Sequence, residues 1–282
     1  MFFQTDTPPI NHYFAVPMFI FWIIISLFVI LLIRKKKLSR NVRIAILVVA
    51  TVYAGIIFGG FPNLVMPFQQ VLSTIAVRGD LTKLFPEVFT VFGGLIIMTI
   101  FFGRVLCGFV CPLGTLQELI SQINFKSDVK AQEKNKFHIE TSSQKASLVR
   151  RFFLLILILL ASIWSIQILQ IFNPNLGFWY FINFFTFTFI FPLIGLVVVS
   201  IISIFIYRPF CRYICPAGAV TSLCSRVTRR KYRRTKDCDD CGLCEKICPT
   251  QEGSTNSKKN ECYYCNRCIE VCPKDAIEFS KS

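Results

Sequence analysis

Cys238-x-x-Cys241-x-x-Cys244-x-x-x-Cys248-Pro249 and, after a short spacer, Cys262-x-x-Cys265-x-x-Cys268-x-x-x-Cys272-Pro273 fill the last 45 residues of the chain. Each run has the intervals and the trailing proline of a bacterial-type [4Fe–4S] ferredoxin, in which three thiolates hold one cluster and the fourth ligates the other. The pattern therefore assigns Cys238, Cys241, Cys244 and Cys272 to one cluster, and Cys262, Cys265, Cys268 and Cys248 to a second. Cysteines in C-x-x-C pairs also suit structural zinc. A zinc ribbon uses two pairs per ion, whereas here one four-cysteine spacing occurs twice, which favours clusters. Lys274 to Glu278 reads as the exit from the last ligand into a short closing strand.

Upstream, the composition is that of a membrane protein. Of 282 residues 54% are hydrophobic and 30 are phenylalanine, which points to several spans. The net charge of +15 would admit nucleic acid, but Lys and Arg lie in blocks beside apolar runs, as the positive-inside rule requires. No basic helix or aromatic-interleaved patch occurs elsewhere, which argues against nucleic-acid binding. The 13 cysteines fall on segments that the charge pattern places in the cytoplasm, where thiols stay reduced and serve as ligands. Neither His12 nor His138 lies centrally in a span and there is no C-x-x-C-H, so no haem is expected.

Residues 1 to 12 lack the basic start and small-residue cleavage site of a secretory signal. Tyr13 to Ile33 is uncharged for 21 residues, enough to cross a bilayer core of about 30 Å. Arg34 to Lys37, Arg40 and Arg43 then set this end inside and the N-terminus outside. Further spans are expected at about 44–60, 88–109, 152–172 and 186–207, with a basic inner loop between the third and fourth. Spans two and three, like four and five, go out, turn at Pro62-Asn63-Leu64 or Pro174-Asn175-Leu176, and return to R-x-x-C-x-x-x-C-P-x-G. The expected fold is thus a membrane all-α bundle of about five transmembrane helices in two parallel pseudo-repeats, with a C-terminal α+β two-cluster ferredoxin-like domain. Residues 1–43 form the outward N-terminus, first span and basic flank, 44–225 the repeats, and 226–282 a cytoplasmic ferredoxin domain. The localisation expected is a bacterial cytoplasmic (inner) membrane.

The returning motifs carry Cys107 and Cys111, and Cys211 and Cys215. A four-residue spacing on a helix puts both sulfurs on one face, one turn apart, and the proline stops the helix. A buried free cysteine is commonly a small hydrophobe, but duplication of the whole motif favours a redox or metal role. A third cluster, donation to nearby clusters and dithiol cycling all remain open from spacing. Arg104 and Arg208 precede the pairs by three residues. They either offset the negative charge of a thiolate or cluster, or anchor the helix ends at lipid headgroups. Cys224 reads as packing.

The combination of two membrane C-x-x-x-C-P motifs with a two-cluster ferredoxin tail resembles the NapH-type membrane quinol dehydrogenase components, with the NosR group and a set of membrane ferredoxin-like maturation proteins as relatives. The resemblance runs from about Ile44 to the end and carries Cys107, Cys111, Cys211, Cys215 and the eight C-terminal ligands. It implies two [4Fe–4S] clusters, quinol as substrate, and an oxidoreductase component passing electrons toward a periplasmic reductase such as a nitrate or nitrous oxide reductase. Another ferredoxin-type subunit is the implied partner. The added first span departs from the four-span pattern, and the outer flavin-bearing domain of the NosR group has no counterpart here. A quinol site is expected near the C-x-x-x-C-P ends, with Asn63, Asp80, Glu87 and Asn173 as weaker candidates. The alternative is reversed flow, in which a cytosolic donor docks on the basic stretch from Arg226 to Lys236 and the protein reduces a metal, disulfide or quinone during enzyme maturation.

Overall fold

The computed structural model describes residues 12–63, 93–123, 142–164, 173–182 and 190–281, together with Val65, Phe68 and Val71. The chain is mostly helical. Helix α1 (His12–Arg34) takes up the first apolar run, and α2 (Arg40–Ala50) continues through a π-helical stretch, Thr51–Ile57. The third apolar run is broken into α3 (Gly94–Phe102) and the single turn α4 (Val105–Phe109), and α5 (Pro112–Ser121) follows. The second repeat has α6 (Ser143–Trp164), a 3₁₀ turn at Leu176–Phe181, α7 (Ile190–Phe205), the single turn α8 (Pro209–Tyr213) and α9 (Pro216–Cys224). Asp80 and Glu87 lie outside the described residues, as do residues 124–141 of the expected inner loop.

The helices bury one face and expose an apolar one. Along α1, Trp22, Ile25, Val29, Ile30 and Ile33 are buried, while Ile20, Ile23, Ile24, Leu27, Phe28 and Leu31 form an exposed stripe at helical spacing. Leu148, Phe152, Leu155 and Leu159 do the same on α6, and Phe191, Ile194, Val198, Ile201 and Phe205 on α7. Exposed apolar area on this scale marks a surface that meets lipid or protein rather than water. Among the described residues one continuous helix, Arg40–Ile57, is long and apolar enough to cross a membrane, and Ile20–Arg34 and Ile190–Phe205 are shorter apolar helices.

The repeats interlock. In the first, α5 packs against its own α2 and against α7 of the second, and α9 of the second packs against its own α6 and against α3 of the first. The post-motif helices therefore lie inside the bundle. Along α5, Leu113, Thr115, Gln117, Glu118 and Ser121 are all buried.

The C-terminal module is stapled by two antiparallel strands, β1 (Arg230–Arg234) and β2 (Ile277–Lys281), with Tyr232 opposite Phe279. The closing strand was legible from sequence; its partner was hidden in the basic stretch, where five residues in a row, RKYRR, offer little apolar alternation. Tyr232, Tyr264 and Phe279 pack edge to edge between this sheet and the second cysteine run. Two short helices, α10 (Leu243–Lys246) and α11 (Arg267–Glu270), carry Cys244 and Cys268 and touch one another.

Candidate functional site

Each C-x-x-x-C-P motif forms a corner. Val110 and Cys111 both take the carbonyl of Leu106, after which the backbone turns extended at Cys111 and Pro112 begins α5. The second motif repeats this at Ile214, Cys215 and Pro216, both amides going to Phe210. The two sulfurs of a pair thus straddle a break instead of sharing one helical face. Proline here starts a helix: at N1 its missing N–H costs nothing and its fixed φ suits the first turn. Cys111 and Cys215 consequently sit at the N-caps of α5 and α9, where the helix dipole favours negative charge. The Gly218 N–H donates to the Cys215 Sγ at 3.3 Å, and the Gln117 side-chain amide donates to the Cys211 Sγ at 3.4 Å.

The interlock brings the four cysteines together. Cys107, Cys111, Cys211 and Cys215 line one small cavity of about 20 Å³, with Val65, Leu113 and Phe210. Asn175, from the Pro-Asn turn of the second repeat, reaches the same cavity. Its amide donates to the Gly60 carbonyl at 2.9 Å, so the two Pro-Asn turns meet, and Asn173 approaches Asn63 at 3.5 Å.

Arg104 and Arg208 hold this arrangement from below. Both are 1% exposed, which removes the headgroup-anchor reading. Arg208 crosses to the other repeat, donating to the carbonyls of Cys107 at 2.8 Å and Gly108 at 3.1 Å. It does so from a left-handed backbone, φ +48, a conformation that costs a non-glycine residue about 1–3 kcal/mol and persists only where neighbours fix it. Arg104 crosses the opposite way, its Nη2 lying 3.3 Å from where a Cβ on Gly218 would stand.

Between these guanidiniums sits Tyr263, from the second C-terminal run. Its ring has the Arg104 Cζ at 4.3 Å and the Arg208 Cζ at 4.4 Å from the centroid. A Cβ on Gly108 would come within 2.5 Å of the Tyr263 carbonyl, so only glycine at that place lets the module approach so closely.

Two carboxylates complete the junction. Glu261, beside Cys262, receives Arg104 at 2.6 Å, Arg150 through both terminal nitrogens at 2.6 and 3.0 Å, and the Ser222 hydroxyl at 2.6 Å. Glu118 on α5 receives Arg208 and Arg267, each at 3.0 Å, and Tyr207. Burial alone would raise both acids. The adjoining guanidiniums outweigh it, Arg267 and Arg208 at Glu118 and Arg104 and Arg150 at Glu261, and hold each carboxyl at about 2. Arg43 adds a third tie, to Glu270 at 2.8 Å and to the Cys265 carbonyl at 2.5 Å.

Sequence reading missed Glu118, Glu261, Tyr263, Arg150 and Arg267. Arg150 and Arg43 were absorbed into basic flanks. One signal was available: Glu118 is the lone charge in an otherwise uncharged helix.

In the C-terminal module, a cavity of about 530 Å³ is lined by Cys244, Cys248, Cys262, Cys265 and Cys268, with Tyr263 and Arg267 on the side of the bundle. Cys248 comes from the first run, so the cavity brings it to the three leading cysteines of the second. Cys238, Cys244 and Cys272 are half-buried and Cys241 is exposed. Backbone N–H groups of Glu252 and Ala276 point at the sulfurs of Cys248 and Cys272, each at 3.3 Å. Among the described residues no three His, Cys, Asp or Glu side chains converge tightly enough to hold a single metal ion. Half-buried thiols around a cavity, with backbone N–H donors directed at Cys248 and Cys272, fit a polynuclear anionic group.

Comparison with known proteins agrees. A 4Fe-4S binding domain family matches residues 84–130 and again 188–235, the two C-x-x-x-C-P regions, and another 4Fe-4S binding domain family matches residues 258–278. An uncharacterized protein of Methanocaldococcus jannaschii is 28% identical over 216 residues, 76% of this chain and 85% of that protein. YccM of Escherichia coli, whose name assigns it provisionally to electron transport, is 28% identical over 177 residues, 62% of this chain and 49% of its own. Regulatory protein NosR of Pseudomonas aeruginosa is 24% identical over 251 residues, 83% of this chain and 33% of its own. The chain thus spans about half the length of YccM and a third of NosR. No solved structure matches it. The cysteine-lined sites and the repeated 4Fe-4S domain matches define a protein of the 4Fe-4S-binding class. Within that class, the chain is similar to NosR, NirI and YccM.

Proposed function

We propose that this protein is a membrane quinol-oxidising electron-transfer component with iron–sulfur groups at three places. The observation that carries the reading is that all four C-x-x-x-C-P cysteines line one cavity against which the second C-terminal run is docked. Cys238, Cys241, Cys244 and Cys272 would hold one [4Fe–4S] cluster, and Cys262, Cys265, Cys268 and Cys248 a second. Cys107, Cys111, Cys211 and Cys215 would hold a third. When bound, such a cluster supplies one-electron transfer at a potential set by charge, hydrogen bonds and burial. The chain's own residues supply those settings: helix N-termini and amides at the membrane cysteines, and guanidiniums between the two regions.

In this reading residues 1–43 and 44–225 form five spans in two parallel repeats with the N-terminus outside, and 226–282 lies in the cytoplasm. The exposed apolar stripes on α1, α6 and α7 support it, since they would face lipid. Quinol would approach the C-x-x-x-C-P cavity, and electrons would leave toward a respiratory reductase through a further ferredoxin-type subunit. The protein, purified without oxygen and mixed with a reduced quinol analogue, is expected to show cluster reduction by EPR. No reduction would overturn the quinol assignment.

One observation favours reversed flow as a second reading. Arg226, Lys231 and Arg233 line the C-terminal cavity, and a basic rim there would attract an acidic donor protein. Faster reduction by an acidic ferredoxin or flavodoxin than by quinol, weakening with salt, would select this direction and a role in enzyme maturation.

A further inference from the structure

Buried charge at the junction is unbalanced. Among the described residues Arg43, Arg104, Arg150, Arg208, Arg212 and Arg267 are fully buried, against the buried carboxylates Glu118, Glu252 and Glu261 and the largely buried Glu270 that pairs with Arg43. Glu118 is shared between Arg208 and Arg267, and Glu261 between Arg104 and Arg150, and buried cations that share one carboxylate favour a further anion in reach. Two of these arginines also lean across the repeat axis: Arg208 caps the Cys107 and Gly108 carbonyls, and Arg104 points at Gly218 on the other motif. The Nε and Nη2 of Arg104 are buried and have no hydrogen-bond partner among the described residues. Arg104 has the carboxylate of Glu261 on one side and the four-cysteine cavity, which it lines, on the other.

We infer that Arg104 and Arg208 are a crossed cationic clamp for the group held by Cys107, Cys111, Cys211 and Cys215, positioning residues that raise its reduction potential. The inference rests on the reading that these four cysteines hold a cluster. The step concerned is the gain of one electron by that group, from the 2+ to the 1+ core, with no bond made or broken. A fixed positive charge stabilises the more negative, reduced state, and charge and hydrogen bonding at the sulfurs are the protein's levers on such a potential. The crossing has a consequence: each arginine stands in its own motif and reaches the other, so the two half-sites share both guanidiniums. The Tyr263 ring offers each of the two guanidiniums a cation–π contact.

The test is an EPR-monitored redox titration of the full chain, purified without oxygen, with dithionite as reductant and mediator dyes, alongside iron and sulfide analysis. Arg208→Gln and Arg104→Gln are each expected to retain all iron. Each should lower the reduced-to-oxidised ratio of the membrane-site signal about tenfold at the wild-type midpoint, a fall of about 59 mV for a one-electron couple. The C-terminal signals should move by less than half of that. Arg208→Lys keeps the charge but not the planar fork, and should restore most of the potential. An unmoved membrane-site signal in both glutamine variants would overturn the clamp. So would a lysine variant displaced as far as the glutamine one, or one that loses the membrane-site iron, since the role would then be structural. Failure of the underlying reading looks different: about eight irons in the wild type and no third signal, which would sink the clamp with it.

Discussion

The two cysteine-bearing regions solve the same problem in opposite ways. In the C-terminal module the ligand spacing is local: each run places three cysteines within seven residues, and short helices and turns shape them. At the C-x-x-x-C-P site each repeat supplies only two, and the two pairs meet because α5 and α9 each pack against both repeats and crossed arginines hold the corners together. A local site depends on its own loop, while a shared site depends on the interface that assembles it. Tyr263, Glu261 and Glu118 join the two.

The sharpest break in that comparison comes from the ligands. Cys262→Ala should remove about four irons and also loosen the junction, because Glu261 and Tyr263 flank that ligand. Cys107→Ala should remove a like amount of iron while leaving both C-terminal EPR signals, which iron analysis and EPR check together. Next in size is Glu261→Gln, which strands Arg104 and Arg150 in a buried site. Removing one member of such a buried ion cluster costs about 3–5 kcal/mol, seen as a lower thermal midpoint in detergent and faster proteolysis of the module.

Tyr263 separates packing from polarity. Tyr263→Leu loses the stack between two guanidiniums and should cost about 2–4 kcal/mol. Its hydroxyl is buried with no hydrogen-bond partner, so Tyr263→Phe should be within about 0.5 kcal/mol of wild type or more stable. The same thermal assay distinguishes the two.

A smaller effect follows from pH. The Glu118 carboxyl is lower in the folded protein, about 2, than its ordinary value of 4.5. A depressed acid stabilises the fold above its unfolded value, so the contribution, about 3 kcal/mol at most, is complete above about pH 5 and lost as pH falls toward 2. The stability gap between wild type and Glu118→Gln should therefore narrow across that window. Least affected should be Cys224→Ala, a half-buried thiol at the end of α9, which should change neither iron content nor stability by a measurable amount.

What could be read from sequence divides along the same line. The eight C-terminal cysteines and the duplicated R-x-x-C-x-x-x-C-P-x-G announced themselves, because regular spacing is a one-dimensional property. The apolar runs gave α1, α2 and α7 nearly where expected. The break at Gly103 and Arg104 was not visible, nor was the inward course of α5, since both answer to partners distant in the chain. Arg150 looked like one more positive flank residue until Glu261, 111 positions away, was found against it. Arg208 was legible as either a counter-charge to the cysteines or a headgroup anchor, and its bonds to Cys107, Gly108 and Glu118 decide against the anchor.

The most direct test of the shared site is the iron and acid-labile sulfide content of the full chain beside its Cys107→Ser, Cys211→Ser double variant, both purified without oxygen. About twelve irons in the wild type, falling to about eight in the variant with both C-terminal signals intact, is the result expected of one cluster drawn from two repeats. About eight irons in both proteins would contradict it.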